Sequence, residues 1–472
     1  MEYSDQGFEE FQELLRPFRD TNPLLWQIRD GIYSGLYYRA PDRPPERRHL
    51  AGLWSWTLWA VLKALLISRR PVPPFNPQSR FHFLFCGTHS AHYDTLLPVV
   101  REAAVRSPEA PVCAWSVELR PEQEASLAGI GNVSVVRLPG VYSCASRSIK
   151  LAAARRALRE ALALRRALKD TPHGKALRRK ASFVAESFFH HLIALDFWNR
   201  EFPRPASGAV FCTNESFYHA KAFISRARKR NWRAIHFCHG LRHAMHQVTQ
   251  ATDFCVFSEM DRAWFQPKVE TGSAVRAIGN PRMEAIRDGA SPPRRRNPGE
   301  PFRLLFLSSG IESPYTLEMV KADLAILAAR PETRAKYLLR VRPHPREVRR
   351  ILHEVVRELG LKVDEYSWGT LAEDLAWCDA AATPWSTALL EAAVAGRLCY
   401  WLDAGGHGFG GTGELQRAGL GLLVRTPEAW AEAVRQCSLL QTGPPAAVST
   451  AKLNELRICL QASPSWWERL QL

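Results

Sequence analysis

The sequence predicts an α/β protein of two Rossmann-like domains facing a cleft, with a helical N-terminal extension. Three observations carry this expectation. A chain of 472 residues is too long for one ordinary hydrophobic core. From residue 81 onward, short apolar runs alternate with segments of helical periodicity, the pattern of a parallel sheet with crossover helices. Residues 278–301, IGNPRMEAIRDGASPPRRRNPGEP, interrupt that rhythm with Gly, Pro and Arg before it restarts, and are read as a hinge.

Composition narrows the classes. Apolar residues make up 46%, with 15 Trp and 22 Phe, enough for sizeable cores. The charge balance, 63 basic against 47 acidic residues, gives +16. That favours an anionic partner such as a membrane surface, nucleic acid or an acidic glycan, although solvated Arg-rich helix faces account for much of it. No aromatic-interleaved basic motif marks a nucleic-acid site, so no nucleic acid is expected. The ten Cys are scattered, no pair has CxxC spacing, and several lie in apolar strand-like runs. This argues for a reducing compartment and against a zinc centre. MEYSDQGFEEFQELL at the start is acidic and amphipathic, unlike a secretory signal.

Residues 1–80 form the extension, opening on a helix in which Phe8, Phe11, Leu14 and Leu15 have helical spacing. Residues 51–67, AGLWSWTLWAVLKALLI, are the most apolar stretch, flanked by Arg47, Arg48, Arg69 and Arg70. The stretch is at the short limit for a span and carries Lys63, so it reads either as a membrane-interface helix or as a helix buried on the first domain. The first domain, 81–277, holds strands in FHFLFCG, PVCAWSVE, NVSVVRLPG, GAVFCTNES, RAIHFCHG and DFCVFSE. Between them, 147–180 reads as one basic amphipathic helix with an apolar stripe of Leu151, Leu158, Leu162 and Leu168. The second domain, 302–440, has strands in FRLLFLSSG, YLLRVRP, KVDEY, CDAAATP, LCYWL and GLLVRT. Residues 441–472 read as a helical tail crossing back to the first domain.

Four clusters at strand ends carry the polar chemistry, since open α/β sheets bind ligands beyond the carboxyl ends of their strands. Gly87, Thr88 and His89, followed by Asp94, combine a glycine turn that lets backbone amides approach an anion with a carboxylate able to act as base. Glu215, in Thr-Asn-Glu-Ser, can take a hydroxyl proton or orient a sugar, while its neighbours Asn214 and Ser216 suit a helix cap. His239 and Gly240 end a strand where a neutral imidazole can act as base or bind phosphate. Four His within eleven residues there have no ligand spacing and no adjacent carboxylate, so no metal is expected. In the second domain, Arg342, His344 and Pro345 close one strand. Ser386 and Thr387 open a helix carrying Glu391. Together they suit a phosphate cradle, with Glu391 either reaching a ribose hydroxyl or favouring the helix dipole. Arg342 either neutralises phosphate or makes an interdomain ion pair.

The order of these motifs, a His-Gly strand end, Thr252-Asp253-Phe254 with VFSE, IGNPRME, RPHP and CDAAATPWSTALLEAAVAGR, resembles GT-B-fold bacterial surface-polysaccharide transferases over residues 205–402. The relatives are CMP-sialic acid and CMP-Kdo transferases of capsule synthesis and CDP-glycerol glycerophosphotransferases. The resemblance implies that His344, Pro345, Ser386 and Thr387 hold the phosphate of a cytidine donor. It also implies that His239 and His344 are needed for catalysis, with Glu215, Asp94 and His239 competing for the general base. Two departures stand out: Ser386-Thr387 replaces a Ser-Ser pair, and the acidic-acidic-Gly motif of the sialyltransferase-like group is absent.

The expected activity is inverting, metal-independent glycosyl transfer from a nucleotide sugar, CMP-linked by preference, to a surface polysaccharide or glycolipid. No cofactor is expected beyond the activated donor. The alternatives are polyol phosphate transfer and a non-catalytic assembly role. The expected location is cytoplasmic, peripheral to an anionic inner-membrane surface.

Overall fold

A computed structural model describes residues 5–37, 52–71, 78–86, 90–117, 119–202, 207–240, 244–270, 272–292, 294–297, 299–309, 317–344, 349–406, 419–439 and 466–470. Among these, two wholly parallel sheets carry the architecture. The first contains β1 (Phe81–Phe85), β2 (Val112–Ser116), β3 (Val133–Arg137), β4 (Ala209–Cys212), β5 (Arg233–Phe237), β6 (Asp253–Val256) and β7 (Ala274–Ala277), in the order β3-β2-β1-β4-β5-β6-β7. The second contains β8 (Phe302–Leu307), β9 (Tyr337–Arg342), β10 (Glu365–Tyr366), β11 (Ala380–Thr383), β12 (Leu398–Leu402) and β13 (Leu422–Val424), in the order β10-β9-β8-β11-β12-β13. Both are Rossmann-like, and the N-terminal helices precede them in the chain.

The central strands read as unbroken apolar runs because helices cover both faces of each sheet. Every residue of β2, β4, β6 and β11 is buried. Across the β1–β4 pair, Phe83 stacks on Phe211 with ring centroids 4.4 Å apart. That pair is also where strand order reverses, as it does between β8 and β11. Such reversals open a crevice at the carboxyl ends of the strands.

β7 escapes sequence reading. Ala-Val-Arg-Ala is too short and mixed to stand out, and it is an edge strand recruited by pairing with β6 and by Arg276 Nε, 2.6 Å from Asp253. The span 278–301 also differs from a plain hinge, since it contains the helix Pro281–Gly289. Asn280 caps this helix by accepting from the Arg282 N–H, and Pro281 pre-sets the first turn. The helix packs against Ser90–Arg106 of the first domain and against Ala388–Val394 of the second.

The N-terminal helices are a layer of the first domain. Phe8, Phe11, Ile32 and Tyr33 share one core with Trp198 and Phe223. Two ion pairs fix the layer: Asp30–Lys221 at 2.7 Å, both side chains 2% exposed, and Arg29–Glu270 at 3.0 Å. At the other end of the chain, Trp466–Leu470 returns to the first domain, where Leu470 is buried and Arg469 pairs with Glu284.

The basic stretch divides into helices Arg147–Ala167 and Gly174–Arg179. Its buried face is Ala153, Ala154, Ala157, Ala161 and Leu164; of the expected leucine stripe Leu168 is buried with them, Leu158 and Leu162 pack part-buried against the same core, and Leu151 is exposed. Small residues allow the close approach of Ala181–Glu201 that leucines would prevent. The helix Gly52–Leu66 packs on both of these long helices. No helix among the described residues is long and apolar enough to cross a membrane. The nine described cysteines are buried thiols.

Candidate functional site

The switch point of the first sheet gathers three histidines from two connections, the one after β1 and the one after β5. His239 follows β5, and its Nδ1 lies 2.5 Å from the Thr213 carbonyl oxygen at the end of β4. A carbonyl only accepts, so Nδ1 carries the proton and Nε2 keeps its lone pair. His92, in the first turn of the helix Ser90–Arg106, places Nδ1 2.9 Å from the Thr213 hydroxyl, and its ring lies 4.1 Å from that of His239. His246 completes the group at 5.7 Å from His239. Burial pushes the His239 imidazole well below its ordinary pKa, and the neighbouring His92, His246 and His236 push the same way. His239 is therefore a neutral imidazole at pH 7, held in one tautomer by Thr213. A small recess is bordered by His239, His246, Met245, Asn214 and Glu215.

Glu215 is 2% exposed, and both of its oxygens are engaged. The Thr249 hydroxyl donates to Oε2 at 2.5 Å, the Gln250 N–H donates to Oε1, and His236 Nδ1 lies 3.3 Å from Oε2. Burial alone would raise this carboxyl, but His236, Lys221 and Thr249 outweigh it and the net pKa is lowered. It is an ionised anchor for the segment 248–251. Asp94 is half-buried, and burial raises its pKa against the opposing charge of Arg282. Gly240 lies beside His246, with the Cys238 thiol 3.3 Å from its carbonyl oxygen. Gly87, Thr88 and His89 lie outside the described residues.

In the second domain, β9 ends on Arg342, whose guanidinium donates to Asp374 Oδ2 and to the Gly369 carbonyl, each at 2.7 Å. Of the two expectations for Arg342, the ion pair is present, but it is internal to this domain and not interdomain. His344 is half-buried just beyond, and Pro345 lies outside the described residues. Past β11, Ser386 Oγ accepts from the Ala388 N–H at 3.2 Å, and Thr387 occupies the cap position of the helix Ala388–Val394. Ser309, which sequence reading passed over, ties the loops after β8 and β11 together by accepting from the Trp385 N–H at 2.8 Å.

Glu391 does not present its carboxylate to solvent. It is 2% exposed and ion-pairs with Arg282 of the interdomain helix. Burial lowers the Arg282 pKa to about 10, with Asp94 opposing. Asn280 Nδ2 donates to the Cys238 carbonyl, next to His239, at 3.2 Å. Residues 280–282 thus connect the His239 strand end to the helix opening at Ser386-Thr387. IGNPRME is legible as a motif in the sequence, but the largely enclosed charge on Arg282 becomes legible only when Asp94 and Glu391 arrive from distant segments. No cluster of potential metal ligands occurs among the described residues.

The chain matches no protein-family model and no curated protein. Solved structures give broad overlaps at low identity. A putative UDP-N-acetylglucosamine 2-epimerase from Listeria monocytogenes is 11% identical, with 83% of this chain and 94% of that one covered and a TM-score of 0.47. The trehalose-6-phosphate synthase OtsA is 13% identical over 80% and 95%, with a TM-score of 0.46. A UDP-glucose:anthocyanidin 3-O-glucosyltransferase solved with UDP is 10% identical over 84% and 98%, with a TM-score of 0.45.

Proposed function

We propose that this chain is a glycosyltransferase that moves a sugar from a nucleotide donor, CMP-linked by preference, to a hydroxyl of a surface polysaccharide or glycolipid, with inversion. The observation that carries this reading is His239: a part-buried, neutral imidazole of fixed tautomer at the switch point of one sheet, linked through Asn280 and Arg282 to the corresponding point of the other. His239 Nε2 takes the proton of the acceptor hydroxyl as its oxygen attacks the anomeric carbon. The bond from that carbon to the donor phosphate breaks, and the nucleotide leaves with the electron pair. His344, Ser386 and Thr387 take the phosphate in this reading, as the motif resemblance implies. Of the three competing bases, Glu215 has both oxygens engaged and Asp94 lies against Arg282, which favours His239.

The test is turnover and binding with CMP-sialic acid, CMP-Kdo, CDP-glycerol and UDP-sugars, comparing the wild type with His239→Ala and His344→Ala. Turnover of CMP-sugars lost in both variants supports the reading. Turnover of CDP-glycerol alone makes the protein a polyol phosphotransferase working through the same residues. Unchanged cellular polysaccharide in both variants leaves a non-catalytic assembly role.

The acceptor reading includes contact with an anionic inner-membrane surface from the cytoplasmic side. Its support is the outer face of Gly52–Leu66, where Leu58, Leu62, Leu65 and Leu66 are 45–77% exposed at helical spacing. The helix is followed by exposed Arg70 and packs beside Arg147–Ala167, with its exposed Arg155, Arg156 and Arg159. An apolar stripe beside cations suits the headgroup boundary of anionic lipid. Flotation with phosphatidylglycerol vesicles, reduced in a Leu62→Glu/Leu66→Glu variant, is the expected result. Equal flotation of the variant rejects this face.

A further inference from the structure

We infer that a second recess, set into the N-terminal helical layer, binds an anionic saccharide unit, a sugar bearing a carboxylate or a phosphate. The inference deepens the acceptor side of the function proposed above and rests on that reading. The recess has a volume of about 360 Å³, within the range of small-ligand sites. Its lining combines the cations Arg16, Arg19 and Lys268 with the indole of Trp26.

The base of the recess is rigid and internally neutralised. Arg29, 2% exposed, stacks 3.8 Å from the Trp26 ring. Its guanidinium donates to Gln12 at 2.9 Å and to Glu270 at 3.0 Å, and the Trp26 indole N–H donates to the same Glu270 at 2.7 Å. Glu270, the carboxylate in the lining, is thereby consumed by Arg29. The remaining cations have weak or outlying counter-ions. Arg16 pairs with Glu13, but both side chains are more than half exposed, where such pairs contribute little. Lys268 pairs with Glu9 at 3.0 Å, and Arg19 lies 6.0 Å from the Trp26 ring.

The exposed Arg16 and Arg19 guanidinium groups and the part-buried Lys268 ammonium, which also stacks 3.8 Å from Trp264, lie beside a fixed indole and suit one ligand class. The cations take a carboxylate or phosphate, and the indole takes the apolar face of a pyranose ring. The recess also shares a wall with the His239 site. The helix Asp5–Leu15, which supplies Gln12, packs on the turn Ala244–Gln247 that carries His246. Gly31, two residues past Arg29, approaches the Ser216 backbone, where an added Cβ would lie 4.0 Å from its carbonyl oxygen. An acceptor chain with one hydroxyl at His239 has this layer beside it, and the recess offers a seat for a charged residue further along the chain.

The experiment is calorimetric titration of the full chain with an oligosialic acid, a phosphorylated oligomannose, a neutral oligosaccharide of equal length and inorganic phosphate, at constant ionic strength. An Arg19→Glu/Lys268→Glu variant is tested in parallel. The result expected is at least about tenfold tighter binding of one charged oligosaccharide than of the neutral one, and loss of that margin in the variant at unchanged melting temperature. Equal binding of charged and neutral sugars, or no effect of the variant, overturns the inference, as does inorganic phosphate binding as tightly as the charged sugar. CMP titrated into the same samples separates the two claims. Loss of nucleotide binding with charged-sugar binding intact sinks the transfer reading alone, and the reverse sinks the recess alone.

Discussion

His239 and Glu215 looked interchangeable as bases in sequence, and their hydrogen bonds separate them. Thr213 and His92 leave His239 Nε2 with a lone pair, whereas Thr249 and Gln250 occupy both Glu215 oxygens. His239→Ala is expected to lower kcat by about 10²–10⁴-fold, the usual worth of a general base, with nucleotide affinity unchanged. Single-turnover kinetics alongside CMP titration checks this. Glu215→Gln is expected to act on stability. Its new NH₂ would confront the Gln250 N–H or the Thr249 hydroxyl, which costs about 1–3 kcal/mol for a buried group left without a partner. A lowered melting temperature with an unchanged pH profile of kcat/KM is the expected signature. Abolished turnover at an unchanged melting temperature would make Glu215 the base instead.

Two helix contacts decide how the elements assemble. At Gly35 an added Cβ would fall within 1.7 Å of the Phe183 ring, because the helix Arg29–Tyr37 crosses Ala181–Glu201 with nothing between them. Gly35→Ala is expected to cost about 1–3 kcal/mol from overpacking and to expose the N-terminal layer to limited proteolysis. At the domain junction, Arg282 is largely enclosed between Asp94 and Glu391. Arg282→Met keeps the volume but strands a buried carboxylate on Glu391, for an expected loss of about 3–5 kcal/mol. The paired variant Arg282→Met/Glu391→Leu should recover much of it. A double-mutant cycle in denaturant measures the coupling, and additive losses would show that the pair is not an interdomain tie.

At the scale of the whole molecule, the first domain buries imidazoles as neutral groups. Burial lowers His82 to about 4, and His191 and His219 each to about 3. The unfolded chain takes up these protons near pH 6.5, and the folded chain does not. The unfolded state therefore binds more protons below 6.5, so stability is full above that pH and falls as pH drops toward the folded values. Each group should withdraw about 1 kcal/mol by pH 5.5. Melting temperature measured from pH 7.5 to 5.0 should stay level down to about pH 6.5 and decline below it, above the range where carboxylates titrate. A flat profile would mean that these sites admit protons in the folded state. The sequence by itself determined the α/β class, the strand ends carrying His239 and His344, and an apolar helix within 51–67. These follow from local periodicity, turn residues and composition. It did not determine β7, whose strand state comes from its partner, or the alanine face of 147–167, which depends on the helix it meets. Only the tertiary structure decided the roles of Arg282, Glu215 and the recess at Trp26. Buried charge and hydrogen-bond saturation belong to groups brought together from hundreds of residues apart, and no local pattern encodes them. The strand end that ends in His239 was legible from its own residues; the neutral, oriented state of that imidazole came from Thr213, His92 and His246 closing around it.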